Sequence, residues 1–307
     1  MPYIIQRPFG TDVMKQSILM MILLILLLIF NDAVIAGAQN GLLLWYQTLI
    51  PSLLPFILVT NALSEMNTYQ QIASRFSMKN IGRFYELLAV VMGNLCGYPI
   101  GAKIINDFTM SQCLSPKRAN ELLAMASQAS PMFLIGYVFR HFLEEKLPLV
   151  IFLTAIYLPV CVYYFLFRTF SKNQSSGLVK HYMKKIPFRD TFMHSVEIMV
   201  TIGVYVILFS ILLSILLPLC SNHFVKLPLF FLEITTGIKL ISDTSYNESV
   251  QIALLCALSS FGGLCSAYQI KGVLQYKNAE IKRYLIDKCI LSSGTFFIVY
   301  LYCIYAL

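Results

Sequence analysis

Charge is what this chain lacks. Asp, Glu, Lys and Arg make up only 12% of its 307 residues, about half the share of an ordinary soluble domain. A chain so poor in charge cannot solvate a surface in water, which excludes the soluble globular class. Paired cysteines are missing too. The eight cysteines stand at 96, 113, 161, 220, 256, 265, 289 and 303, mostly inside apolar runs, and no two form a CxxC pair. That spacing argues against a disulfide framework or a zinc site, and small-residue packing is the better reading. His141, His181, His194 and His223 show no ligand spacing, so no metal is expected. There is no HExxH, no P-loop and no GxSxG, and the Gly-rich FGGLC lacks the spacing of a nucleotide fingerprint. The expectation is a non-enzyme that needs no cofactor.

What is present is apolar. Hydrophobic residues make up 58% of the chain and mean hydropathy is +0.71. This composition predicts an all-α polytopic membrane protein whose first partner is the lipid bilayer. The net charge of +8 would suit nucleic acid, but most of it lies in short loops between apolar spans. Charge placed there orients a protein in the bilayer, so no nucleic-acid partner is expected.

Segments long enough to cross about 30 Å of hydrocarbon run over 15–37, 41–64, 122–140, 148–168, 191–219, 250–270 and 289–307. Two more apolar stretches, 87–106 and 228–242, are interrupted by CGYPIG and EITTG and read as re-entrant hairpins. Loop charge supports that choice. Lys172, Lys180, Lys184, Lys185 and Arg189 crowd one loop; Lys271, Lys277, Lys282, Arg283 and Lys288 crowd another. With both hairpins re-entrant, every basic loop falls on the cytoplasmic side, as the positive-inside rule prefers. The first hairpin then enters from inside and the second from outside, which is an inverted repeat. The organisation is an N-terminal helix over 1–40, a first repeat over 41–168, a basic cytoplasmic linker over 169–190 and a second repeat over 191–307. Lys15, the apolar run from Ile18 to Phe30 and Ala36-Gly37-Ala38 also fit a cleaved signal peptide; an uncleaved helix is the favoured reading.

A recurring motif marks the two halves. GAKIIND at 101–107 returns as GIKLISD at 237–243, and LLAMAS at 122–127 returns as LLCALS at 254–259. Paired, interrupted hydrophobic segments at corresponding places are the usual pointer to a transporter's binding site. Gly97, Pro99 and Gly101 would break the first hairpin, and Thr235, Thr236 and Gly237 would play the matching part in the second. Freed N–H groups and helix N-termini there would present partial positive charge to an anion. Beyond each hairpin a helix carries a polar break, ASQASPMF at 126–133 and SSFGGLCSAYQ at 259–269. Ser127, Gln128, Ser130, Ser259, Ser260, Ser266 and Gln269 supply donors and acceptors around Pro131 and around Gly262-Gly263. Lys103 and Lys239 hold equivalent places in the motif, and Glu233 lies inside the second broken segment. Ionisable groups at membrane depth are expensive and read as functional by default. The alternative for the lysines is snorkelling to an interface, and for the serines interhelical packing.

IPSLLPF at 50–56, CGYPIGAK at 96–103, the ASPMF break at 129–133, LEITTG at 232–237 and FGGLCSAYQ at 261–269 together resemble the YlbJ-type sporulation integral membrane proteins. That group sits within the wider Gate-domain group related to concentrative nucleoside transporters. The resemblance runs from about residue 41 to the end of the chain. It implies a role in endospore formation, with dipicolinic acid carried across the outer forespore membrane. Dipicolinate is a flat dianion, which hairpin tips and Lys103 or Lys239 would suit electrostatically, while Tyr98 or Tyr268 would contact the ring. A nucleoside would instead use Glu233, Gln128 and Gln269. A non-transporting membrane scaffold for spore assembly is the third reading. Coupling ion and oligomeric state are not encoded in any motif here.

The topology is testable directly. Single cysteines placed in the loops 169–190 and 271–288 are expected to resist an impermeant thiol reagent in intact cells, and one at position 222 to react. Labelling of both basic loops from outside would reject the arrangement.

Overall fold

The computed structural model describes residues 11–65, 81–170, 188–220 and 223–306. Most of the basic linker, residues 171–187, lies outside the described residues, as do Arg75, Lys79 and His181. The regular structure of the described residues is all helix, joined by short turns, with no strand among them. In chain order they form α1 (Thr11–Ile29), α2 (Asn31–Leu44), a wide π turn (Trp45–Leu49), α3 (Ile50–Glu65), α4 (Ile81–Cys96), α5 (Ile100–Met110), α6 (Pro116–Leu122) and α7 (Pro131–Leu143), which is wound as a π-helix from Leu134 onward. These are followed by α8 (Leu149–Phe170), α9 (Phe188–Leu219), α10 (His223–Phe230), α11 (Ile234–Ser242), α12 (Glu248–Phe261), α13 (Gly263–Val273) and α14 (Ile281–Ala306).

Among the described residues, five helical stretches are long and apolar enough to cross a membrane: Asn31–Leu63, Leu149–Leu166, Arg189–Leu219, Glu248–Val273 and Ile281–Ala306. This corrects the segmentation read from sequence in three places. The chain turns at Phe30, not near residues 38–40, so the helix begun at Asn31 continues through the π turn into α3. The expected span 122–140 is interrupted over 123–130, where the backbone turns and leaves the helix, reaching an extended Ser130 before α7 begins at Pro131. Leu123, Ala124, Met125 and Ala126 are apolar because they are fully buried, not because they are helical. The last span starts at Ile281, eight residues earlier than the sequence suggested, and takes Lys288 into the helix.

Small residues set how closely the long helices approach. Gly37 and Gly41 form a GxxxG pair on α2, and a Cβ on either would lie 2.7 Å from a backbone Cα of α9, at Ile211 or Ile207. In lipid such close backbone approach is a main source of helix association. Further along, the Trp45 indole donates to Met199 O (2.9 Å) and Asn61 Nδ2 to Ser195 Oγ (2.8 Å). Residue numbers rise on one side as they fall on the other, so α2–α3 and α9 run antiparallel.

Four helix breaks lie close together and satisfy one another. Between α4 and α5 the chain passes through Gly97, Tyr98 and Pro99, with a cis bond at Pro99 and φ +80° at Gly97. That corner presses on the break between α6 and α7. Tyr98 N–H donates to Gln128 O (3.0 Å) and Asn94 Nδ2 to Met125 O (2.9 Å). The other two breaks are stitched likewise, as Leu264 and Cys265 at the start of α13 donate to Phe231 O (2.9 Å) and Leu232 O (2.8 Å) between α10 and α11. Gly262 and Gly263 both hold positive φ at the α12–α13 junction, the conformation that glycine adopts without penalty. The helices beyond the first and second motif copies start on side-chain caps. Ser115 Oγ accepts from Arg118 N–H (3.3 Å) and Asn247 Oδ1 from Ser249 N–H (3.0 Å).

A buried charge cluster fixes α6. Arg118 donates to Glu86 Oε2 and Glu121 Oε2, both at 2.9 Å. Burial works against its charge, and the two carboxylates outweigh it, holding the guanidinium above its ordinary pKa. Asn120 then clamps the loop before α14, accepting from the Tyr276 hydroxyl (2.7 Å) and donating to Asn278 O (2.8 Å).

The tight corner makes a prediction. A Cβ at Gly101 would lie 1.7 Å from Ala126 O, whereas one at Gly136 meets nothing within 4 Å. Gly101→Ala is expected to cost about 1–3 kcal/mol or more by overpacking, and Gly136→Ala to be neutral or slightly stabilising. Thermal unfolding of the two purified variants in detergent measures the contrast; equal midpoints would refute the close contact.

Candidate functional site

Two cavities adjoin the breaks. The inner one has about 30 Å³ of water-accessible space, room for a water or two. Tyr98, Ser130, Glu233, Gly262 and Gln269, all expected site residues, line it together with apolar side chains of α3 and α9. The outer one is about 320 Å³ and is bounded by α2, α7, α9 and α11. Thr235, Thr236 and Lys239 line it, joined by Asn40, Gln47, Tyr137 and Asp243. The Tyr137 hydroxyl donates to Thr235 O (3.4 Å), which ties α7 to α11 between the two spaces.

Glu233 organises the start of α11. It is 1% exposed, and its carboxylate accepts from Thr235 N–H (3.0 Å), Thr236 N–H (2.7 Å) and the Thr235 hydroxyl (2.6 Å). This is a helix N-cap made by a charged side chain, favourable both for the free N–H groups and for the helix dipole. The sequence reading offered this N-terminus to an anionic ligand; the structure fills it with Glu233. The break itself lies a few residues earlier than the sequence suggested, over 231–233, so Thr235, Thr236 and Gly237 sit within the helix.

The other expected residues divide by task. Gly97 packs on the backbone of Ser130, Gly263 on Ile234 N and Gly237 on Phe230 O, so these positions govern backbone approach. Pro99 precedes the first turn of α5, and Ser130 caps α7 by accepting from Phe133 N–H (3.3 Å). Lys103 is paired with Asp107 (2.9 Å) and lines neither cavity. Lys239 is exposed at the wall of the outer cavity. Buried atoms without a hydrogen-bond partner among the described residues include Gln269 Oε1 at the inner cavity and Thr236 Oγ1, whose residue lines the outer one. Natural structures leave few such atoms unpaired, and those that remain ask for a water, an ion or a ligand.

Ser127, Gln128 and Ser260 converge on a residue that the sequence reading placed in a basic loop. Lys288 is fully buried and donates to Ser127 O (3.1 Å), Gln128 Oε1 (3.0 Å) and Ser260 O (2.5 Å). The sequence carried a usable signal. Tyr284, Lys288, Leu291, Thr295, Val299 and Cys303 recur at helical spacing and are the buried stripe of α14, so Lys288 falls on the inward face.

These features define an all-helical, multi-pass integral membrane protein with paired helix breaks at its centre. No family model and no solved structure matches the chain. Among curated proteins the chain is similar to the sporulation integral membrane protein YlbJ of Bacillus subtilis (strain 168). The two are 23% identical over 308 aligned positions, spanning 83% of this chain and 74% of that protein. That likeness supports a YlbJ-type assignment.

Removing the cap tests the site's architecture. Glu233→Ala is expected to lower stability by about 1–2 kcal/mol and to speed amide exchange at Thr235 and Thr236, while Glu233→Gln keeps part of both. Unchanged exchange at those amides in Glu233→Ala would show that the carboxylate does not hold the helix start.

Proposed function

We propose that this protein is a membrane carrier for a small anionic metabolite, with dipicolinate crossing the outer forespore membrane during sporulation as the specific assignment. The outer cavity carries the proposal. At about 320 Å³ it falls in the size range of small-ligand pockets, roughly 300–1,000 Å³, and it combines a lysine with hydroxyl and amide groups. It also borders α11, which holds the second copy of the recurring motif.

In this reading α4–α5 and α10–α11 are re-entrant hairpins of an inverted repeat covering 41–168 and 191–307. Each motif copy, GAKIIND and GIKLISD, lies in the helix that follows its hairpin's break. Irregular backbone at membrane depth is tolerated where it is enclosed by protein or borders a polar cavity, and the four mutually bonded breaks meet that requirement. The likeness to a protein named for sporulation supplies the cellular setting. Asp243 shares the cavity wall with Lys239, and Asn40 and Gln47 bring amides; those groups favour a nucleoside as the second reading.

Binding separates the readings. The protein purified in detergent is expected to bind dipicolinate and not uridine. Lys239→Gln removes the charge but keeps hydrogen bonding. Because Lys239 is exposed, its loss should weaken dipicolinate about fivefold, equivalent to roughly 1 kcal/mol, and Lys103→Gln should change nothing. Uridine binding without dipicolinate binding would hand the site to a nucleoside. Dipicolinate binding unaffected by Lys239→Gln would remove the outer cavity from the mechanism.

A further inference from the structure

The geometry around Lys288 points to a cation site whose occupant is part of the chain. An ammonium has three donors, and Lys288 spends them on three neutral oxygens: Ser127 O, Gln128 Oε1 and Ser260 O. No carboxylate is in ion-pair contact with it among the described residues. The adjacent Asp287 is engaged elsewhere, accepting from the Tyr163 hydroxyl (2.6 Å) and facing Arg283 (3.7 Å).

Two of the three acceptors are backbone carbonyls at helix breaks, one from each half of the chain. Ser260 O lies in the last turn of α12, where unsatisfied carbonyls carry partial negative charge. Ser127 and Gln128 belong to the non-helical stretch before α7. Oxygen-only ligation by unwound carbonyls and helix C-terminal ends is how interrupted helices hold an alkali cation. The hydroxyls of Ser127 and Ser260 are buried and make no hydrogen bond among the described residues, so the same residues hold two further oxygens in reserve.

We infer that Lys288 is a tethered cation: its ammonium fills a monovalent-cation site joining the break before α7 to the break after α12. The protein accordingly needs no sodium or potassium ion at this position, and truncating the side chain turns the position into a site for one. Applied to the carrier proposed above, the inference makes transport independent of sodium at this point. The site itself stands whether or not that proposal does.

The test is thermal unfolding of the purified full chain in sodium, potassium or N-methylglucamine chloride at one ionic strength. The wild type should show the same midpoint in all three. Lys288→Ala should be less stable in N-methylglucamine and recover several degrees, saturably, in sodium or potassium, because a ligand that binds only the folded state stabilises it by mass action. Lys288→Met, which fills the space without charge, should not respond to the choice of cation. Should Lys288→Ala fail to fold in N-methylglucamine yet be recovered in sodium or potassium, the inference holds. Equal loss in every salt, or recovery of neither variant in any salt, would overturn it. The readout is stability, so a failure to bind dipicolinate leaves this result standing on its own.

Discussion

In a bilayer core no water is available to bond a free N–H or C=O, so every interruption of a helix must be answered by another part of the protein. The architecture here depends on that constraint. Tyr98 N–H is answered by Gln128 O, and the start of α13 is answered by the carbonyls of Phe231 and Leu232. Glu233 answers the start of α11. Lys288 then joins the two halves by bonding oxygens at the break before α7 and at the end of α12. Remove this mutual satisfaction and each break becomes an unpaired polar group at depth, costing several kcal/mol.

The close approaches serve the same end. Gly93 and Gly101 both face Ala126 O, and Gly237 faces Phe230 O, at distances where a side chain cannot fit. The GxxxG pair on α2 does the equivalent work against α9 at the periphery. Glycine is therefore concentrated where backbone meets backbone, while polar side chains of the breaks line the two cavities or, like Gln128, bond Lys288. Tyr137, on α7, touches both the first turn of α11 and the outer cavity, so a shift of α7 would be felt at the start of α11.

Much of this was legible from sequence, and the exceptions have physical causes. CGYP, ASQASP and FGG mark real breaks because Gly and Pro disfavour continued helix. EITTG misplaced its break by a few residues, since Glu233 as an N-cap looks like any intramembrane carboxylate until its two N–H partners are seen. The run Leu122–Ala126 read as part of a span because burial alone demands apolar residues, whether or not the backbone is helical. Lys288 was read as loop charge because it neighbours Lys282 and Arg283, and only the helical phase of α14 turns it inward. Tyr137, Asn40 and Gln47 gave no signal, because cavity walls assembled from four helices are not written in local spacing. Lys103 and Lys239 looked equivalent in the repeated motif, yet an ion pair to Asp107 occupies the first while the second borders the outer cavity.

The central claim is that these mutually satisfied breaks enclose a path for a small anion. Uptake of labelled dipicolinate into vesicles reconstituted with the purified protein tests it most directly. The account predicts saturable uptake above that of protein-free vesicles, competed by excess unlabelled dipicolinate. Correctly folded protein that gives uptake no faster than empty vesicles would contradict it.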